Sequence, residues 1–217
     1  MKAQTAESVN KNLLSEAAEW RLISLLFECP INNWREQVTA LAAEIDDETL
    51  KAAAASIYHD EVTEGLYHST FGPGGPAPPR EVSYRDWIQP GYLISELTTY
   101  YDAFSYKPLT REVLDHVSVE AGFIAYLKLK EAYASACGDE DHAAVTADAA
   151  KDFINEHLQH IAEPLAGLLE HSGLDYLALA SSALLRRVGP RKEKSKGTDL
   201  PVLPVLSDID EPIFDCS

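Results

Sequence analysis

Glu112, Asp115 and His116 stand close together in the segment Thr110–Glu120, T-R-E-V-L-D-H-V-S-V-E. On a helix, spacings of three and four would put all three on one side of two turns, with Glu120 extending the row. Three kinds of chemistry are open to such a group. Thr110 can cap a helix whose acidic first turn suits the macrodipole, with His116 paired to Glu112. The carboxylates can accept hydrogen bonds from the guanidinium groups of a basic partner. A metal ion is the third option: Glu156, His157, His160 and Glu163 form a second cluster, and Glu112, His116, Glu156 and His160 would together make a helical-bundle metal enzyme. Di-metal bundles use Glu-x-x-His on two helices, and neither cluster has that spacing. Nucleophilic catalysis has no setting, since G-x-S-x-G is absent and Cys29, Cys137 and Cys216 form no C-x-x-C. No catalytic residue, cofactor or bound metal is expected.

The second unusual stretch is Phe71–Arg80, F-G-P-G-G-P-A-P-P-R, where Gly72, Pro73, Gly74, Gly75, Pro76, Pro78 and Pro79 crowd together. A phosphate loop turns successive backbone N–H groups toward the anion and ends in Lys-Ser/Thr. Here the prolines remove donors and no such ending follows. The stretch reads either as a rigid connector or as the preformed wall of a binding surface, because proline limits the entropy lost on ordering.

Helices must position both stretches. Apolar periodicity predicts a first helix over Ser8–Phe27 with Leu14, Ala18, Leu22 and Leu25 inward, stopped at Cys29-Pro30. Asn33 caps a second, carrying Trp34, Val38, Leu41 and Ile45; Asp46 or Asp47 caps a third that buries Leu50, Ala54, Ile57 and Leu66. Beyond the Gly/Pro stretch, helical spacing resumes near Trp87 and Pro90 and ends at Lys107-Pro108. A long helix is expected from Thr110 to Cys137 with Val113, Val117, Ile124 and Leu127 in the core, closed by Gly138-Asp139. Another runs to about Glu170, kinked or divided at Pro164 and burying Phe153, Leu158, Ile161, Leu165 and Leu168; the last spans Leu174–Val188. The expectation is an all-α domain of six to eight helices over residues 1–190, followed by a flexible Pro-containing tail over 191–217. Within that tail, Leu200–Leu206, L-P-V-L-P-V-L, is either a strap on the domain's own surface or a docking segment for a partner.

Composition narrows the partners. The 217 residues carry 18 Lys+Arg against 35 Asp+Glu, a net charge of −17. That sign argues against general nucleic-acid binding and against anionic membrane surfaces, and suits either a basic peptide or protein or simple solubility. No apolar run approaches the roughly 20 residues of a membrane span. No export signal is recognised at the N-terminus, and three scattered cysteines suit a reducing compartment, so a cytoplasmic location is expected.

The order of these features resembles the TorD/DmsD/NarJ family of redox-enzyme maturation chaperones. The features are F-G-P-G-G-P-x-P-P followed by Ser83 and Tyr84, an aromatic helix ending in Tyr100-Tyr101, then Glu112, Asp115 and His116 with Val119-Glu120, and finally Phe153-Ile-x-x-His157-Leu. The family's E-P-x-D-H is matched at Glu112, Asp115 and His116, with Val113 in place of the proline. The resemblance, over roughly residues 10–188, implies a cytoplasmic chaperone and not an enzyme. It would bind the immature catalytic subunit of a molybdopterin-containing oxidoreductase, assist cofactor insertion and hold back premature export. Many members also bind the client's twin-arginine signal peptide; some form homodimers, so the chain is a monomer or a homodimer. Nucleotide binding has been proposed for some members, but no motif here places it. The implied binding residues are Glu112, Asp115 and His116 with Phe71, Gly72, Pro73, Pro76, Tyr84 and Trp87. Asp115 with Glu112 would meet the arginines, and His116 would fix the geometry or tune the carboxylates, its titration making release pH-sensitive.

Overall fold

The computed structural model describes residues 2–191, with side chains from Asn10 onward. The Leu200–Leu206 segment and nearly all of the expected tail lie outside the described residues. The architecture is all-α. The helices are α1 (Lys2–Leu26), α2 (Trp34–Ala42), α3 (Glu48–Ser56), α4 (Glu64–Phe71), α5 (Pro90–Ala103), α6 (Val117–Ala136), α7 (Glu140–Phe153), α8 (Gln159–Leu169) and α9 (Asp175–Val188). A π-helical turn, Ile154–Leu158, joins α7 to α8 without interruption, so these segments form eight continuous helices among the described residues.

The centre is α6. From Val117 to Ala125 every residue is buried, the mark of a helix covered on all sides. α1 packs along one flank and α7 along the other, while α9 closes the far side against α3 and α8. At the α1–α6 crossing Gly122 permits the approach, since a Cβ there would stand 2.7 Å from the Tyr106 hydroxyl and 3.1 Å from Ser24 Oγ. An aromatic cluster fills the space between α5, α6 and α7: Phe123 lies 4.9 Å from Tyr101 and 4.8 Å from Phe153, ring centre to ring centre, in edge-to-face arrangements.

Capping follows local chemistry. Asp47 accepts from Leu50 N, Thr63 from Leu66 N and Asp139 from His142 N. Pro90 opens α5 at a position where its missing N–H costs nothing. Gly138 adopts φ +74° just beyond α6, as a helix-ending residue must.

Several expectations require correction. The α6 helix begins at Val117, not near Thr110, and Val113 is exposed. Long-range pairing takes the backbone of this segment instead: Glu81 N donates to Asp115 O (2.8 Å) and Val117 N to Pro79 O (2.9 Å), around an antiparallel bridge between Arg80 and His116. Thr110 caps only a local turn, accepting from Glu112 N at 3.3 Å. Asn33 occupies the N-cap position of α2 without a side-chain capping bond. The third helix stops at Ser56, and Leu66 belongs to the separate α4, half-buried. Leu14 and Leu168 are exposed; their neighbours Leu13 and Leu169 point inward. Pro164 sits inside α8 without dividing it, and the irregularity lies upstream in the π turn.

Candidate functional site

The C-terminal end of α4 supplies one wall of a groove. Tyr67, His68 and Phe71 project from it, and the chain then turns into the Gly/Pro loop. Two glycines are required there by close approach. A Cβ on Gly72 would lie 2.3 Å from His68 O, and one on Gly75 2.3 Å from Thr70 O. The loop is tied to itself and to α4, with Gly75 N donating to Gly72 O (2.8 Å) and Ala77 N to Thr70 O (3.3 Å). From behind, the Tyr84 hydroxyl donates to Pro78 O at 2.6 Å. The prolines fix φ and these bonds fix the path, so the wall is preformed. Arg80, Glu112, Val113 and His116 complete a groove of about 380 Å³.

A short relay of hydrogen bonds sits at its base. Ser118 N donates to His116 Nδ1 at 3.1 Å, so the imidazole is the N-cap of α6. Nδ1 is therefore an acceptor and the proton resides on Nε2. His116 Nε2 lies 3.1 Å from the Tyr67 hydroxyl, which donates to Glu112 Oε1 at 2.9 Å. The chain thus runs His116 N–H to Tyr67 O–H to the Glu112 carboxylate. Burial, with the positive charge of Arg80, pushes the His116 pKa down to about 3. That shift favours the neutral imidazole at physiological pH and weighs against a pH-sensitive release through His116. Burial and the Glu112 charge hold the Tyr67 phenol protonated, its pKa raised far above the usual value.

Asp115 has another role. Its side chain is fully buried, and Arg80 Nε reaches both oxygens at 2.9 and 3.1 Å. Arg80 is itself 41% exposed and lines the groove. Asp115 is thus the anchor of a cationic wall residue, while Glu112 is the carboxylate open to the groove. Behind this wall lies a buried acidic layer. Glu81 pairs with Arg85 (2.9 Å) and His157 (3.1 Å). Glu120 is wholly buried with no donor reaching its oxygens, and burial and the neighbouring Glu81 charge raise its pKa strongly. Burial and that charge favour the neutral acid form of Glu120, whose proton would replace a repulsion with Glu81 by a hydrogen bond.

Of the residues implied from sequence, Phe71, Gly72, Pro73, Glu112 and His116 line the groove. Tyr84 braces it without lining it, Asp115 stands behind it, and Pro76 and Trp87 project outside, Trp87 fully exposed. Tyr67, His68 and Arg80 line it without having been singled out; only the place of Tyr67 one turn before Phe71, and of Arg80 directly after the prolines, hinted at this. The four residues of the metal-enzyme alternative do not gather. Glu112 faces Tyr67, Glu156 accepts from Tyr100 (2.7 Å), and among the described residues the groups able to hold a metal combine neither Glu112 nor His116 with Glu156 or His160.

The chain thus folds as an all-helical body with a preformed groove, walled by a Gly/Pro loop and based on a His-Tyr-Glu relay. The family model described as nitrate reductase delta subunit matches residues 31–166, which take in every groove residue, α2 through α7 and most of α8. The chain belongs to this family, whose members are NarJ/TorD-type chaperones of molybdoenzyme maturation. No individually curated protein matches it closely enough to serve as a named relative. Among the described residues, no helix is long and apolar enough to cross a membrane.

Proposed function

We propose that this protein is a cytoplasmic maturation chaperone, with no catalytic activity of its own. It binds the immature catalytic subunit of a molybdopterin-containing oxidoreductase, keeps it competent for cofactor insertion and holds it back from premature export or assembly. The groove receives a basic, moderately apolar segment of the client, such as a twin-arginine signal peptide. The observation that carries this reading is the Glu112 carboxylate: it is open to the groove, fixed by Tyr67 and His116, and flanked by the apolar surfaces of Phe71, Val113 and Pro73. A guanidinium meets such a carboxylate by charge-assisted hydrogen bonds, and the apolar wall accepts the adjoining side chains. The net charge of −17 attracts a basic segment at long range and disfavours nucleic acid. The chaperone acts as a monomer or homodimer.

The test is capture of partners by affinity-tagged protein in its native host, followed by mass spectrometry. The expected result is enrichment of an immature molybdoenzyme catalytic subunit by the wild type and its loss with Glu112→Gln. Capture of no such subunit sinks the reading, and undiminished capture by Glu112→Gln sinks the placement at the groove.

A further inference from the structure

The π turn joining α7 to α8 carries a second constellation, none of whose residues lines the groove. Single-turn π segments inside helices are frequent at functional sites. Here the turn presents Glu156 and His157, and α5 passes beside it with Glu96 and Tyr100. A carboxylate oxygen of Glu96, one of Glu156 and a ring nitrogen of His157 all lie within 4.8 Å of one another. The two glutamates are exposed, while His157 is fully buried.

Three further facts bear on what this arrangement holds. First, His157 Nδ1 lies 3.1 Å from Glu81 Oε2. An Nδ1–H donated to that carboxylate leaves the lone pair on Nε2, which is buried and has no hydrogen-bond partner. A buried polar nitrogen without a partner carries an uncompensated desolvation cost. Second, a carboxylate holding the far side of an imidazole is the usual outer support of a metal-bound histidine, and Tyr100 O–H to Glu156 (2.7 Å) supports a carboxylate in the same way. Third, the charges balance. Arg85 is 2.9 Å from Glu81 and 3.8 Å from Glu96, and is committed to the buried Glu81. Glu96 and Glu156 then present two negative charges to one divalent cation.

We propose that Glu96, Glu156 and His157 form a binding site for a divalent transition-metal ion of the Zn²⁺ class. One imidazole and two carboxylates favour such an ion over Ca²⁺ or Mg²⁺, which prefer all-oxygen shells. Three protein ligands leave a coordination position for water or for a side chain of a partner. Because Glu81 directly follows Arg80, a ligated His157 tightens the segment that forms the groove's cationic wall.

The experiment uses the full chain, stripped with chelator and dialysed against ZnCl₂, with bound metal counted by mass spectrometry and affinity taken from calorimetry. Co²⁺ serves as a spectroscopic probe, since its visible absorption reports the ligand field directly. The wild type is expected to bind one Zn²⁺ per chain. Glu96→Gln and Glu156→Gln are each expected to weaken binding at least ~10-fold, and Tyr100→Phe to weaken it less, while preserving the helical spectrum. Cys29, Glu64 and His68 form the other group of suitable ligands, so the Cys29→Ser/His68→Ala double variant serves as control and is expected to bind as the wild type does. The proposal is overturned by absence of stoichiometric Zn²⁺, by wild-type affinity in the Glu96→Gln/Glu156→Gln double variant, or by loss of the ion in the control.

Discussion

His116 and His157 invite comparison, because both are buried and both meet a carboxylate system, yet they are finished differently. His116 uses both nitrogens: Nδ1 caps α6 and Nε2 reaches Tyr67. His157 uses one, toward Glu81, and its Nε2 has no hydrogen-bond partner. The first therefore serves as a strut, neutral and with a fixed tautomer, that orders the base of the groove. The second retains an unused lone pair on Nε2, and one of its ring nitrogens lies within 4.8 Å of two exposed carboxylates. A histidine's role is thus read from what its second nitrogen does, not from its burial.

The comparison breaks most visibly at His116. His116→Ala removes a cap, the donor to Tyr67 and the packed ring at once, and is expected to cost about 3 kcal/mol or more in denaturant unfolding. His116→Asn restores a capping oxygen and should recover about 1 kcal/mol of that loss. Equal destabilisation by the two variants would show that the cap contributes nothing.

Next in size is the pH dependence, in which two buried groups act in opposite directions. His116 has a folded pKa depressed to about 3, so between that value and its ordinary pKa near 6.5 the unfolded chain binds the extra proton. Stability then falls as pH drops through that window, by up to about 1.4 kcal/mol per unit from this group. Glu120 has a raised folded pKa, so its contribution is full below its unfolded pKa of about 4.5 and is lost as pH rises toward the folded value. Unfolding measured across pH should show the acid-side slope shrink in His116→Asn. Glu120→Gln should be more stable than wild type at neutral pH, with a flatter profile above about pH 4.5. A Glu120→Gln variant that is less stable at neutral pH would contradict the neutral-acid assignment.

A smaller effect comes from the brace behind the Gly/Pro loop. Tyr84→Phe deletes the bond to Pro78 O and is expected to cost about 1 kcal/mol in a thermal melt. The smallest concerns Trp87, exposed and at φ +63°. Trp87→Ala should leave stability within about 0.5 kcal/mol and leave peptide affinity unchanged. A marked loss of peptide affinity would return Trp87 to the binding surface.

The architecture was readable in the sequence because apolar spacing, Asp47, Pro90 and Gly138 act locally. The Gly/Pro stretch was readable as rigid for the same reason, but whether it serves as a connector or as a wall was not. The start of α6 was not. Thr110 and an acidic turn favour a helix there, but the backbone of Asp115 and Val117 is claimed by Glu81 and Pro79, more than thirty residues upstream. Tertiary pairing overrode local propensity. The same bridge brought Glu112 and His116 to the groove by a loop, not by one helical face, and turned Asp115 inward to Arg80. The pairing of His157 with Glu81 joins residues 76 apart in sequence, and no local pattern announces it.

The central claim is that Glu112 in the preformed groove receives a guanidinium. The most direct measurement is titration of wild type and Glu112→Gln with a fluorescently labelled twin-arginine peptide, followed by anisotropy, with a twin-lysine peptide in parallel. The account predicts that wild type prefers the arginine peptide, and that Glu112→Gln weakens its binding about tenfold and erases the preference. Equal affinity of both proteins for both peptides would contradict it.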